Sequence, residues 1–355
     1  IQHGTHVSGS VAGDSGVTAT PLLAHAEAGD GMAPNAQLLF QDIGADCLVV
    51  ADYAATLQQA RASGAHIHSN SWGAPTGNSY TGYDFDADDT TWALQDLLLV
   101  ASAGNRADAI AAIGSPGNAK NALTVGALLH GDSECAASLH TTGGVWGSSI
   151  GPGSGWRDKP EISAPGVATI SAAGDDFSFG AEEPAESKAL SGTSMATPTV
   201  AGGAALMRQY FVEGRYPRGS VSAGDRLHLL APTLKAAVVN STGEILNSFI
   251  GETRLPSYIS GWGRMYLDRD LYFPGDVRRQ RVFERSHGSG LASGEVHEYA
   301  IENVAAGQAL RATLAWFDVA SVPGVDYPLV NDLDLEVLGP GGELYRGNAF
   351  GDDTS

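Results

Sequence analysis

The residues best suited to chemistry lie in three short segments. His3-Gly4-Thr5-His6-Val7-Ser8-Gly9 sets a histidine at the start of a run of small residues that reads as a helix. Ala101-Ser102-Ala103-Gly104-Asn105 sets an asparagine at the end of an apolar strand, where an open α/β sheet keeps its ligand crevice. Ser191-Gly192-Thr193-Ser194-Met195-Ala196-Thr197-Pro198 turns through glycine into a helix of small residues, with Ser194 at the helix N-terminus. Unfilled N–H groups and the helix dipole favour negative charge there. A histidine that accepts a proton, a hydroxyl that attacks and an amide that holds the oxyanion are a working set for nucleophilic acyl transfer. Singly, each has a plainer role: His3 as a structural helix start, Asn105 as a turn former, Ser194 as an N-cap. All three in one chain argue for the chemistry. Pro198 reads as a first-turn proline, where no intrahelical donor is needed.

These groups need a rigid frame. Residues 37–43 read as a buried strand, 52–61 as a helix, 66–69 as a strand, 86–96 as a helix with an acidic start, and 97–101 and 122–127 as further strands. Near-continuous apolar strands separated by helices pair in parallel, covered on both faces. The expected fold is α/β, a doubly wound, mostly parallel sheet, over residues 1–275. Residues 276–355 change character: alternating runs at 296–301, 310–316 and 333–337, with no helix between them, predict part of an antiparallel β-sandwich. Gly151-Pro152-Gly153-Ser154-Gly155 lacks the Lys-Ser/Thr of a phosphate loop and reads as a surface loop.

Composition bounds the partners. The 355 residues carry a formal charge of −20, which argues against nucleic acid and polybasic membrane binding. A hydrophobic content of 43% suffices for one large core or two moderate ones, and no apolar run is long enough to span a bilayer. Cys47 and Cys135 make neither a disulfide framework nor a metal cluster, and their pairing stays open. The chain begins at Ile1 without methionine or signal peptide and is expected to be an internal fragment of a longer precursor.

His-Gly-Thr-His-Val at 3–7, Asn-Ser-Trp-Gly at 70–73, Ser-Ala-Gly-Asn at 102–105 and Gly-Thr-Ser-Met-Ala-Thr-Pro at 192–198 resemble, in kind and order, the subtilisin-like serine proteases. Gly31-Met32-Ala33-Pro34-Asn35, Leu39-Phe40-Gln41, Gly261-Trp262-Gly263-Arg264 and Leu329-Val330-Asn331-Asp332-Leu333-Asp334-Leu335 are similar to the oxidatively stable alkaline protease branch, whose members carry a jelly-roll β domain after the catalytic one. The resemblance implies a secreted, extracellular serine endopeptidase acting on extended polypeptides. His3 would be general base, Ser194 nucleophile and Asn105 the side-chain oxyanion donor, with Thr193 in support. Ser71, Trp72 and Gly73 would pair with the substrate backbone. Ser102, Ala103 and Gly104 would form the opposite wall of the pocket for the residue before the cut. Gly114 at its base leaves room for a large apolar side chain, and no acidic pair accompanies the walls, against a preference for Arg or Lys. Met195 resembles the family's oxidation-prone methionine and equally suits a core. A propeptide or a proteinaceous inhibitor is a further expected partner. Calcium is the family's usual cofactor, and Asp326, Asn331, Asp332 and Asp334 are its expected oxygen ligands here.

The chain also departs from the family. The triad carboxylate precedes the histidine in an Asp-Ser/Thr-Gly segment closing a central strand, and Asp14-Ser15-Gly16, Asp30 and Asp42 all follow His3. The expectation is a chain lacking that Asp and its strand, with a gap in the sheet and low activity. Asp46-Cys47-Leu48-Val49 stands where glycines line the fourth subsite. The competing function is a catalytically silent relative that uses its β domain for attachment.

Overall fold

Leu97, Leu99 and Ala101 point to one face of a strand, and Leu98 and Val100 to the other, because successive side chains alternate. In the computed structural model each set enters its own apolar cluster, so a run without polar interruption is what a strand covered on both sides requires. The structure describes residues 2–14, 30–44, 52–106, 109–129, 147–174, 187–243, 255–302, 304 and 307–349. Among them the central sheet has strands β1 (Ile67–Asn70), β2 (Leu98–Ser102), β3 (Leu123–Leu128), β4 (Ile162–Pro165), β7 (Thr242–Gly243) and β8 (Arg264–Met265), in the order β1-β2-β3-β4-β8-β7. Pairing is parallel from β1 to β8, with Ile67 opposite Leu98, Val100 opposite Leu123 and Val125 opposite Ile162; only β7 runs antiparallel. A separate antiparallel hairpin joins β5 (Thr169–Ala172) to β6 (Ser187–Leu190).

Helices cover both faces. On one, α4 (Thr193–Val212) lies across β1 to β4 and buries Val200, Ala204, Met207, Tyr210 and Phe211, with α5 (Ala231–Asn240) beside it. On the other, α2 (Tyr53–Ala62) and α3 (Gly82–Ala93) supply Tyr53, Leu57 and Ala87. α1 (Gln2–Ala12) packs on α4 and β5. Asp52, expected as the first residue of the helix, instead caps α2, accepting from the Ala55 N–H at 2.8 Å. α3 starts earlier than the acidic run implied, because Thr81 and Asp84 form a capping box there.

Several expectations are corrected. Residues 37–43 form no strand: β1 is an edge of the described sheet, nothing described pairs with 37–43, and Phe40 is 67% exposed. Gly151–Ser154 is buried instead of lying on the surface, because a Cβ at Gly151 would strike the Lys159 carbonyl, around which this loop closes. Pro198 is the sixth residue of α4, not in its first turn. After residue 275 the described residues contain only one two-stranded antiparallel sheet, β9 (Glu336–Leu338) with β10 (Leu344–Arg346); 296–301 and 310–316 are not strands. A lone hairpin buries no face, and Val296, Leu310, Leu338 and Leu344 stay exposed. Cys47 and Cys135, with the 46–49 segment, lie outside the described residues.

Candidate active site

Glycine opens α4 for a stated reason: Gly192, the N-cap, has φ +147°, and a Cβ there would lie 3.3 Å from the Asn105 amide. Asn105, just past the end of β2, fixes that helix end. Its Oδ1 accepts from the Thr193 N–H at 2.9 Å and the Thr193 hydroxyl at 3.1 Å, while the Gly104 N–H donates to Thr193 Oγ1 at 3.2 Å. The acceptor half of the amide is thus committed, and Nδ2, on an exposed side chain, is the donor left to meet a ligand. Pro198 removes the N–H that would fill the Ser194 carbonyl one turn earlier. Ser71 replaces it: Ser71 Oγ donates to the Ser194 carbonyl at 2.8 Å, and Ser194 Oγ donates to the Ser71 carbonyl at 3.1 Å. Ser71, just beyond β1, is therefore held to the nucleophile candidate by a reciprocal pair that no sequence pattern announces.

His3 stands in the first turn of α1, and its pKa is lowered, by desolvation first and by His6 second. It is neutral at pH 7, as a general base must be. No hydrogen bond joins His3 to Ser194, whose one hydroxyl proton goes to Ser71. Among the described residues no carboxylate pairs with His3. Asp42 instead accepts from the Gly44 N–H within its own turn, and Asp30 is exposed. His6 is buried, with Nε2 at 3.0 Å and 2.9 Å from the Thr169 and Lys188 carbonyls, and so ties α1 to the β5–β6 hairpin.

The two expected pocket walls do meet. The Ala74 and Ser115 backbones exchange hydrogen bonds of 2.8 Å and 3.1 Å, which places the segment after Gly73 against that after Gly114. The Gly114 N–H donates to the Ala103 carbonyl, linking the floor to the Ser102-Ala103-Gly104 wall. Side chains are excluded by close approach: a Cβ at Gly114 would lie 2.7 Å from the Ala74 carbonyl, and one at Gly73 2.8 Å from that of Ser115. Trp72 turns its ring inward, edge-on to Tyr53 and Tyr83 at centroid distances of 5.2 Å and 5.6 Å, which leaves its backbone for the expected substrate contact. Met195 is buried.

The residues expected to ligate calcium, Asp326, Asn331, Asp332 and Asp334, lie before β9. Among the described residues no three acidic, His or Cys side chains gather as a metal site. Asn331 donates its Nδ2 to Asp318 at 2.7 Å, and its carbonyl accepts from the Trp316 indole at 3.1 Å. The amide nitrogen and the backbone carbonyl of Asn331 thereby fasten residues 316–331, while its side-chain Oδ1, the atom a cation would take, is in neither bond.

Comparison with known proteins follows the same outline. The model of the subtilase family (Peptidase_S8) matches residues 2–263. The "Serine protease/ABC transporter B family protein tagD" of Dictyostelium discoideum is 24% identical, over 98% of this chain and 25% of that protein. "Subtilisin BL" of Lederbergia lenta is 29% identical over 58% of this chain and 63% of its own. Among solved structures, "Sphericase" superposes with a TM-score of 0.52 and 25% identity, covering 74% of this chain and 77% of its own. The chain spans about a quarter of the length of the first curated relatives it matches.

Proposed function

The chain belongs to the subtilase family, and from that premise we propose that it is the catalytic part of a serine endopeptidase. The observation that carries this is the Asn105–Thr193–Ser194 constellation: a hydroxyl at a helix N-terminus with an oriented amide donor beside it. His3 takes the Ser194 proton once Oγ swings from the Ser71 carbonyl, Oγ adds to the peptide carbonyl, and the oxyanion is held by Asn105 Nδ2 and the Ser194 N–H. His3 then protonates the leaving amine, and water hydrolyses the acyl-enzyme with His3 again as base. The carboxylate that orients His3 comes from a segment other than those described, and a strand added at the β1 edge would bring it. Without it turnover falls roughly 3 × 10⁴-fold, a figure known for subtilisin itself.

An extended polypeptide is the substrate, with a large apolar residue before the cut, and the same crevice would take a propeptide or a protein inhibitor. Secretion, membership of the oxidatively stable branch, a domain division at 275/276 and a partial jelly-roll-like β domain after it belong to this proposal. Asp326, Asn331, Asp332 and Asp334 offer the hard oxygens that calcium takes, and an ion held there would be structural and enter no step. One observation favours the silent alternative: Ser194 donates to Ser71 and not to His3.

A fluorophosphonate probe on the full-length protein decides between them. It is expected to label Ser194, with labelling abolished in Ser194→Ala; an unlabelled wild-type protein that is folded would sink the peptidase reading.

A further inference from the structure

Directly behind the expected pocket floor lies a carboxylate whose sequence pattern, Thr81-x-x-Asp84, announces a helix cap and nothing more. Asp84, in the first turn of α3, is fully buried. Its Oδ2 accepts from Ser115 Oγ at 2.5 Å, from the Thr81 N–H at 2.7 Å and from Thr81 Oγ1 at 3.0 Å. Ser115 Oγ also lies 3.1 Å from Thr76 Oγ1. One oxygen thus gathers Thr81 and Ser115, and through Ser115 the Thr76 hydroxyl, three residues after Gly73. Ser115 in turn carries the backbone exchange with Ala74 that joins the two walls. The other oxygen, Oδ1, is buried and has no hydrogen-bond partner among the described residues. Beyond its place in the capping box with Thr81, this charge reaches Ser115, 31 residues away in the chain.

Resting on the peptidase reading, we propose that Asp84 is a positioning residue that sets the depth of the pocket for the residue before the cut, by holding Ser115 through a charged hydrogen bond. A hydrogen bond to a carboxylate is about twice as strong as one to a neutral acceptor, so the floor is firm only while Asp84 is ionised. Burial raises the Asp84 pKa to about 6 against the lowering by Ser115 and Thr81. The groups facing it are Asp88 on the same helix, Tyr80 before it, Tyr53 on α2 and Arg157 in the loop before β4; Lys120 lies beyond, on the side of Asp88. As pH falls through about 6 a proton settles on the partnerless Oδ1. Oδ2 becomes a neutral acceptor, Ser115 loosens, and discrimination for a large apolar side chain drops.

The test measures binding of two fluorescent product peptides, one ending in Phe and one in Ala, to the full-length protein from pH 5 to 8. Fluorophosphonate labelling of Ser194 is followed in parallel. The wild type is expected to prefer Phe above pH 6 and to lose that preference on the order of tenfold below it. Asp84→Asn should show the low, pH-independent preference with Ser194 still labelled. Ser115→Ala, which keeps the carboxylate and the helix cap, should match it, so an unstable Asp84 variant does not leave the question open. A flat wild-type profile, or an Asp84→Asn profile that still breaks near pH 6, overturns the role of Asp84 while leaving the peptidase reading intact. Failure of Ser194 to label in the wild type removes that reading, and this inference with it.

Discussion

Asn105 does two jobs with one amide. Oδ1 holds the first N–H of α4 and the Thr193 hydroxyl, and this commitment is what turns Nδ2 outward. On the peptidase reading, replacing it with Ala removes an oxyanion donor; it also frees a helix end. The first effect is expected to lower kcat about 100- to 1,000-fold, the range known for such a donor in subtilisin itself, with KM little changed. Steady-state kinetics on a peptide amide measure it, and an equal loss in KM alone would instead make Asn105 a ground-state binding group. The Asn105 and Ser194 positions were legible because each sits where an element begins or ends. Ser71 as the partner of the Ser194 carbonyl was not, because it depends on a proline making a carbonyl vacant 123 residues away.

Elements are held in register by charges that composition hides. Glu161, immediately before β4, lies 2.7 Å from Lys159 Nζ and 3.1 Å from Lys235 Nζ on α5, and its Oε2 accepts from the Thr124 N–H of β3. Burial alone would raise the Glu161 pKa, but the two ammoniums hold it below the usual value, while burial pushes Lys159 down to about 7. The Glu161 contribution is thus present above the unfolded value of about 4.3 and is lost as pH falls below it. Glu161→Gln leaves two buried ammoniums without a counter-charge and is expected to cost about 3–5 kcal/mol. Urea unfolding at pH 7 reads this as a lower midpoint at unchanged slope. The strands β2 and β3 were legible in the sequence because burial on both faces demands an unbroken apolar run. Residues 37–43 carried a similar signal and form no strand, since a strand exists only where a neighbour supplies hydrogen bonds.

Across the whole molecule, the described residues after 275 meet those before it at several points, and Asp318 is a buried carboxylate at one of them. Asp318 meets Lys120 Nζ at 2.7 Å, exchanges backbone-to-amide hydrogen bonds with Asn121, and accepts from the Val330 and Asn331 N–H groups. Asp318→Ala would strip Lys120 of its counter-charge and release residues 330 and 331 together. We expect the loss of about 3–5 kcal/mol typical of an unpaired buried charge, with faster hydrogen exchange at Val330 and Asn331 than elsewhere. Exchange that rises uniformly over the chain would mean that Asp318 supports the global fold and not this junction.

The sequence by itself determined the α/β class, the family resemblance and the three segments of the candidate site, because strand burial, helix ends and glycine turns leave local signatures. Tertiary structure decided what local pattern cannot carry. It tied the Asn331 amide nitrogen to Asp318, set Asp84 behind Ser115, and gave the Ser194 proton to Ser71. Each depends on which distant group fills a vacant donor or acceptor. That choice is made only when the chain has closed and water no longer competes for the bond.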